Sequence, residues 1–314
     1  MKAKKVPCIR HWTAFLEPVS SPARYGMLKR LLLLAFSVLF MALAAPVSLL
    51  GQTAEGRHIT VAAEELPSAY GAPPDLSHGR ISTLTKSYVL APYRIELEAG
   101  YEGAVFRHGA PTHLFRQEIE MGLPARFTLG VQNELEHFAG ETRDRSFTVE
   151  ARYALADWNK LPLNPALSAE YRFGLGAATR DSAQLALLVS HDFPHLVEWA
   201  MNIFVEREVG GRESTSAGFA QSVEVPVLLP EEELEVGLEM QYRSGGETTR
   251  SDGTTKGCAI GPTLAWRPST KARFDLSPLF GCSDHTPALQ VFAILSFSLG
   301  GPEAGDAEKP ASAH

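Results

Sequence analysis

Charged residues recur at every second position through much of this chain. Arg94, Glu96 and Glu98 are separated by Ile95 and Leu97; Arg116, Glu118 and Glu120 are separated by Gln117 and Ile119. Successive side chains of a strand point to opposite faces. This spacing therefore gathers the charges on one surface and the apolar groups on the other. The same parity collects Glu134, Glu150, Arg152, Glu170, Arg172, Glu235, Glu239 and Arg243. With Glu102, Glu136, Glu206, Glu224, Arg267 and Arg273, the surface holds thirteen carboxylates and seven guanidinium groups. Buried charges must pair or stay wet. Such a surface either closes itself with Arg–Glu networks or lines a wet path whose acidic excess favours cations. A narrow path is the expectation, with its negative field strongest at Glu96, Glu98, Glu118 and Glu120.

Other reactive groups are sparse. The chain has 3 cysteines, too few for a disulfide-dense scaffold. Antiparallel pairing about a turn at 267–270 brings Cys258 opposite residues 281–282. A disulfide between Cys258 and Cys282 is expected at the outer rim if the compartment is oxidising. His108, His113, His137, Asp144, Asp284 and His285 fall in connecting segments, where a His–Asp pair could activate water. No nucleophile accompanies them, and no zincin, P-loop, dinucleotide or Gly-x-Ser-x-Gly pattern is present. The expectation is no catalytic residue, no metal and no cofactor.

These charges need strands to hold them. In Tyr93 to Glu102 one parity reads Tyr, Ile, Leu, Ala, Tyr, and the other reads Arg, Glu, Glu, Gly, Glu. The pattern recurs in about twelve segments, with ten to fourteen as the bounds. Each is near the ~9–11 residues that a tilted membrane strand requires. Short connections (122–125, 192–196, 228–232, 267–270) alternate with longer or more polar ones (103–113, 137–144, 176–181, 209–215, 244–256). That alternation matches the short periplasmic turns and longer outer loops of a membrane barrel. The segment 155–164, with Trp158 and Pro162, is long but falls in the short phase, and reads as an ordered turn. Aromatic residues cluster at both ends of the apolar stripe, as in the girdles of outer-membrane barrels. A soluble β-sandwich also alternates, but strand number, strand length and paired girdles favour an all-β, antiparallel, up-and-down transmembrane barrel.

The whole chain agrees. It has 314 residues, 45% apolar and 21% charged, with a net charge of -7 and a mean hydropathy of -0.07. Disordered chains are poorer in apolar residues, helical polytopic proteins are far more apolar, and an acidic balance offers nucleic acid no footprint. Lys29-Arg30 before an apolar run at 31–45 and small residues near Gly51 describes a signal peptide. The expected organisation is an upstream non-native start (1–26), a signal peptide (27–51), an extended arm (52–92), the barrel (93–299) and a disordered tail (300–314). The arm could line or plug a larger structure, and a disordered linker is the slightly favoured alternative.

Two segments carry a family resemblance. Arg94-Ile95-Glu96-Leu97-Glu98-Ala99-Gly100-Tyr101 precedes Arg116-Gln117-Glu118-Ile119-Glu120-Met121-Gly122-Leu123-Pro124-Ala125-Arg126-Phe127, with a tight Gly-Leu turn. Together they resemble the bacterial outer-membrane channels grouped with the phenol-degradation-pathway (MetA-like) transporters, over roughly residues 85–300. No functional residue carries over. The resemblance implies passive transport of small molecules, hydrophobic or aromatic ones included. The expected partners are outer-membrane lipid and small solutes, not nucleic acid, and the location is the bacterial outer membrane. An outer-membrane hydrolase and a closed structural or recognition barrel are the alternatives.

Overall fold

The computed structural model describes residues 80–138, 140–175, 179–193, 197–210, 214–228, 234–245, 256–269, 271–284 and 286–300. The expected signal peptide, the tail beyond 300, most of the loop 244–256 and His285 lie outside the described residues. Twelve strands follow one another: β1 (Arg94–Val105), β2 (Thr112–Leu123), β3 (Phe127–Phe138), β4 (Glu141–Ala154), β5 (Ala166–Gly174), β6 (Asp181–Phe193), β7 (Val197–Val209), β8 (Thr215–Leu228), β9 (Leu234–Gly245), β10 (Lys256–Ser269), β11 (Ala272–Gly281) and β12 (Leu289–Gly300). Each pairs antiparallel with the next, and β1 pairs with β12, so the sheet closes into a barrel. Closure removes the free edges that would leave backbone groups unpaired in lipid.

The alternation read from the sequence sets the two surfaces. Leu129, Val149, Leu167, Ile203, Val223 and Ile260 are exposed on the outside, and Leu185 and Leu238 reach 68% and 60% exposure. Glu118, Glu120, Glu150, Arg152, Glu239 and Asp275 are buried on the inside. This inverts a soluble protein: the apolar face meets the surroundings and the charged face is enclosed. The start of β1 and the end of β12 share the rim that carries the short connections, hereafter the inner rim.

Residues 80–92 are the described part of the expected arm. They enter the lumen as a hairpin. Arg80 and Lys86 form an antiparallel bridge, and Ile81 N–H donates to the Thr85 carbonyl at 2.9 Å. The tip at 82–85 reaches the middle of β8, β9 and β10. Ser82, Thr83, Thr85 and Ser87 are all buried. The chain then descends to the inner rim and turns into β1 through Tyr93, whose φ of 64° lies in the left-handed region. At this turn the backbone presses on Gly122: a Cβ there would sit 1.9 Å from the Ala91 carbonyl oxygen. Only a residue without a side chain lets the arm pass.

The connection between β4 and β5, at 155–165, folds under the arm. Trp158 is buried and meets Tyr88 edge-to-face at 5.0 Å. The Tyr88 hydroxyl donates to the Ala156 carbonyl. These aromatics join Val89, Ala186 and Leu188 in an apolar cluster at the base of the lumen.

Candidate functional site: the lumen and its arm

The barrel register sets up an electrostatic problem. Glu96 lies opposite Glu120, and Glu98 opposite Glu118. Glu150 lies opposite Glu170. Like charges directly across a strand pair destabilise it, and enclosure makes the repulsion stronger. The arm supplies the missing cations. Arg80 Nε donates to Glu98 at 3.2 Å, and Arg80 Nη2 lies 3.8 Å from Glu118. Lys86 Nζ donates to Glu118 at 3.0 Å and to Glu120 at 2.9 Å. It also contacts Glu150. Oxygens of Glu118, Glu120 and Glu150 come within 4.8 Å of one another, a spacing that could ligate a metal. The cation held there is the Lys86 ammonium. Burial opposes its charge, yet the three carboxylates outweigh that and hold Lys86 well above the usual lysine range.

Arg152 completes this cage from the wall. It pairs with Glu120, lies 3.3 Å from Glu150, and donates to the Tyr88 carbonyl at 2.9 Å. Ser168 Oγ donates to Glu150 at 2.8 Å. On the facing wall, Glu239 accepts from Thr83 Oγ1 at 2.6 Å and from Leu84 N–H at 2.7 Å. Thr85 Oγ1 and Ser222 Oγ are 2.7 Å apart, as are Ser82 and Thr263 at 2.8 Å. Arg273, near the inner rim, donates to the Arg80 carbonyl at 2.8 Å and pairs with Asp275. The Leu90 N–H reaches Thr128 Oγ1 at 2.8 Å.

Above the arm the lumen opens into a vestibule of about 260 Å³, with Arg80, Thr83, Leu84 and Lys86 among its lining residues. Its charged wall holds Arg116 and Arg172; its other side presents Ala186, Leu188, Phe204 and Ala220. Arg116 reaches Glu102 at 2.8 Å and Glu134 at 3.5 Å. Glu206 receives Arg172 at 3.0 Å and Arg243 at 2.9 Å. Arg243 also lies 5.1 Å from the Phe204 ring centroid, a cation–π distance. Gln184 donates to Glu170 at 3.1 Å.

The expected lumen residues thus divide into three groups. Glu98, Glu118, Glu120, Glu150, Arg152 and Glu239 hold the arm. Arg116, Glu134, Glu170, Arg172 and Arg243 line or border the vestibule. Arg94, Glu96 and Glu235 stand apart at the inner end, where Glu96 lies opposite Ser298 and Arg94 donates to Ser298 at 3.0 Å. Arg80 and Lys86 were not among the expected site residues. The imbalance of thirteen carboxylates against seven guanidinium groups was the signal that further cations had to come from elsewhere in the chain.

His113 and His137, expected in connecting segments, stand instead at the outer ends of β2 and β3. His113 lies opposite His137, with ring centroids 6.3 Å apart. Their hydrogen bonds go to hydroxyls: His113 to Tyr101 and His137 to Thr142, each at 2.8 Å. Cys258 and Cys282 are not bridged in this structure. They are neighbours across β10 and β11, and Cys282 N–H donates to the Cys258 carbonyl at 2.8 Å.

A closed barrel of twelve antiparallel strands, apolar outside and charged within, is a transmembrane β-barrel of the outer-membrane class. No protein-family model matches the chain, and no curated protein matches it. Among solved structures it is similar to the NanC porin, with a TM-score of 0.47 and 8% identity over 66% of this chain and 99% of that one. It is also similar to the KdgM porin, with a TM-score of 0.44 and 10% identity over 65% of this chain and 99% of that one. An outer membrane channel from Pseudomonas putida F1 gives a TM-score of 0.44 and 12% identity over 68% of this chain and 97% of that one. At these values nothing about solute or gating carries over.

Proposed function

We propose that the protein is an outer-membrane channel for passive passage of small solutes along its polar lumen. One observation carries this: the enclosed face is charged along its length and opens above the arm into a 260 Å³ vestibule. A barrel kept only for structure gains nothing from enclosing so many carboxylates, each costly to desolvate. The solutes fit the vestibule's two sides, with guanidinium and amide groups facing Leu188, Phe204 and Ala220. Small hydrophobic or aromatic molecules carrying a polar group, the class implied by the resemblance to the phenol-degradation-pathway transporters, match that pairing. The remaining acidic groups of the wall bias ion passage towards cations.

Purified protein in a planar bilayer tests the reading. Discrete steps in KCl, with a reversal potential shifted towards cation selectivity, are expected. A silent bilayer containing folded protein, both with the arm and with the arm replaced, would remove the channel assignment. Hydrolysis of ester substrates in detergent that His137→Ala abolishes would replace it with the enzymatic alternative.

A further inference from the structure

We propose that residues 80–92 form a displaceable plug that shuts the channel from the inner rim, with Arg80 and Lys86 as the two groups that latch it. This rests on the channel reading above.

Four observations support it. The first is topological. The Lys86-to-Pro92 limb descends to the inner rim, and the Arg80 backbone lies within reach of Arg273 at that same end. Within the described residues the tip is a turn that doubles back, so it can withdraw towards that rim without unthreading a through-going strand. Secondly, the wall is complete without it. Every strand has both neighbours among β1 to β12, so removing the arm breaks no barrel ladder. Thirdly, the tip is polar apart from Leu84. Ser82, Thr83 and Thr85 meet Thr263, Glu239 and Ser222. Hydroxyls and carboxylates on both sides can exchange these partners for water; the arm's apolar packing, Tyr88 and Val89 against Trp158, Ala186 and Leu188, lies on the limb nearer the inner rim. Lastly, the tip is the barrier itself, because the vestibule bears on Arg80, Thr83, Leu84 and Lys86.

The latch is electrostatic. Lys86 fills the Glu118–Glu120–Glu150 cage, and Arg80 spans Glu98 and Glu118. Withdrawal leaves those carboxylates without their arm partners, facing a hydrated lumen. The same residues that repel one another across the strands then line the open path, where they attract cations. Closure and selectivity use one set of side chains.

The experiment compares four proteins in planar bilayers in KCl. The first is the full chain. The second has residues 80–91 replaced by an equal length of Gly and Ser. The third carries Thr85→Cys and Ser222→Cys, with Cys258→Ser and Cys282→Ser to remove competing thiols. A fourth, Lys86→Met, gives a graded measure if the replacement fails to fold. Folding is checked by heat-modifiable gel mobility, and the cross-link by a reductant-sensitive gel shift.

The full chain should open briefly and rarely. Arm replacement should raise the open probability on the order of tenfold or more, and Lys86→Met should raise it by a smaller factor. The cross-linked protein should stay shut until reductant is added. Equal conductance from the full chain and the arm-replaced variant would overturn the plug and leave the channel standing. Openings that persist through a formed cross-link would also overturn it, since solute would then pass around a seated arm. Silence from a folded, arm-replaced barrel would overturn the channel reading, and the plug with it.

Discussion

Arg152 shows how tightly single residues are bound to the electrostatics of the lumen. It is 1% exposed and serves three partners: Glu120, Glu150 and the Tyr88 carbonyl. Its loss leaves Glu120 enclosed with one cation fewer. Breaking a buried ion pair by removing one partner costs about 3–5 kcal/mol, so Arg152→Ala should lower stability by that order. Denaturant unfolding of the folded, heat-modifiable form in lipid vesicles measures it. Arg152→Lys should recover only part of the loss, because an ammonium cannot reproduce the guanidinium fork. A change below about 0.5 kcal/mol, within the range of ordinary surface substitutions, would mean the cage is hydrated. Arg152 was readable from parity alone, as were Glu98, Glu118, Glu120, Glu150 and Glu239. Lys86 and Arg80 were not. They sit in a stretch with no period, and nothing local distinguishes them from the cations of a linker.

At the scale of elements, legibility follows the range of the forces. A strand with two chemically distinct faces prints its period into ten adjacent residues, so all twelve strands could be read locally. The arm has no such print. Its shape depends on contacts at large separation, such as Thr85 with Ser222 and Ser82 with Thr263. Its Ser and Thr content resembles that of a loop because its surroundings are polar. Phe204, Leu188 and Phe292 were obscured for the opposite reason: they are apolar groups on the enclosed face, and they interrupt the alternation of β6, β7 and β12. The β10–β11 pair offers a test at this scale. Ala259 lies opposite Gly281, so Cys258 and Cys282 are the next facing pair outward. We infer that they join in an oxidising compartment. Mass mapping without reductant should find the two peptides linked. Closing a loop of about 24 residues would add roughly 3–4 kcal/mol in the chain-entropy account, so reduction should lower the thermal midpoint. Free thiols at both positions in protein isolated from the envelope would refute the linkage.

For the molecule as a whole, the question is which face meets what. The same apolar stripe would be a core if the barrel stood in water and its charged face were outside. Here closure puts the carboxylates inside, and the arm and the paired arginines compensate them. The apolar stripe is left on the exterior, where only hydrocarbon covers it at no cost. Leu238 in β9 is the sharpest probe, since it is 60% exposed and lies well inside the strand. On a water-facing surface Leu238→Arg would be close to neutral. In a bilayer an arginine near the midplane of a barrel's lipid face costs about 2–4 kcal/mol. The lumen supplies the control: Gln132 lines the vestibule, and Gln132→Arg places the same charge in a polar, hydrated space. Unfolding in lipid vesicles should therefore separate the two variants by at least about 2 kcal/mol, with Leu238→Arg the less stable. Equal stabilities would mean that the exterior is not in contact with lipid at Leu238. The reverse order would mean that the two faces had been assigned the wrong way round.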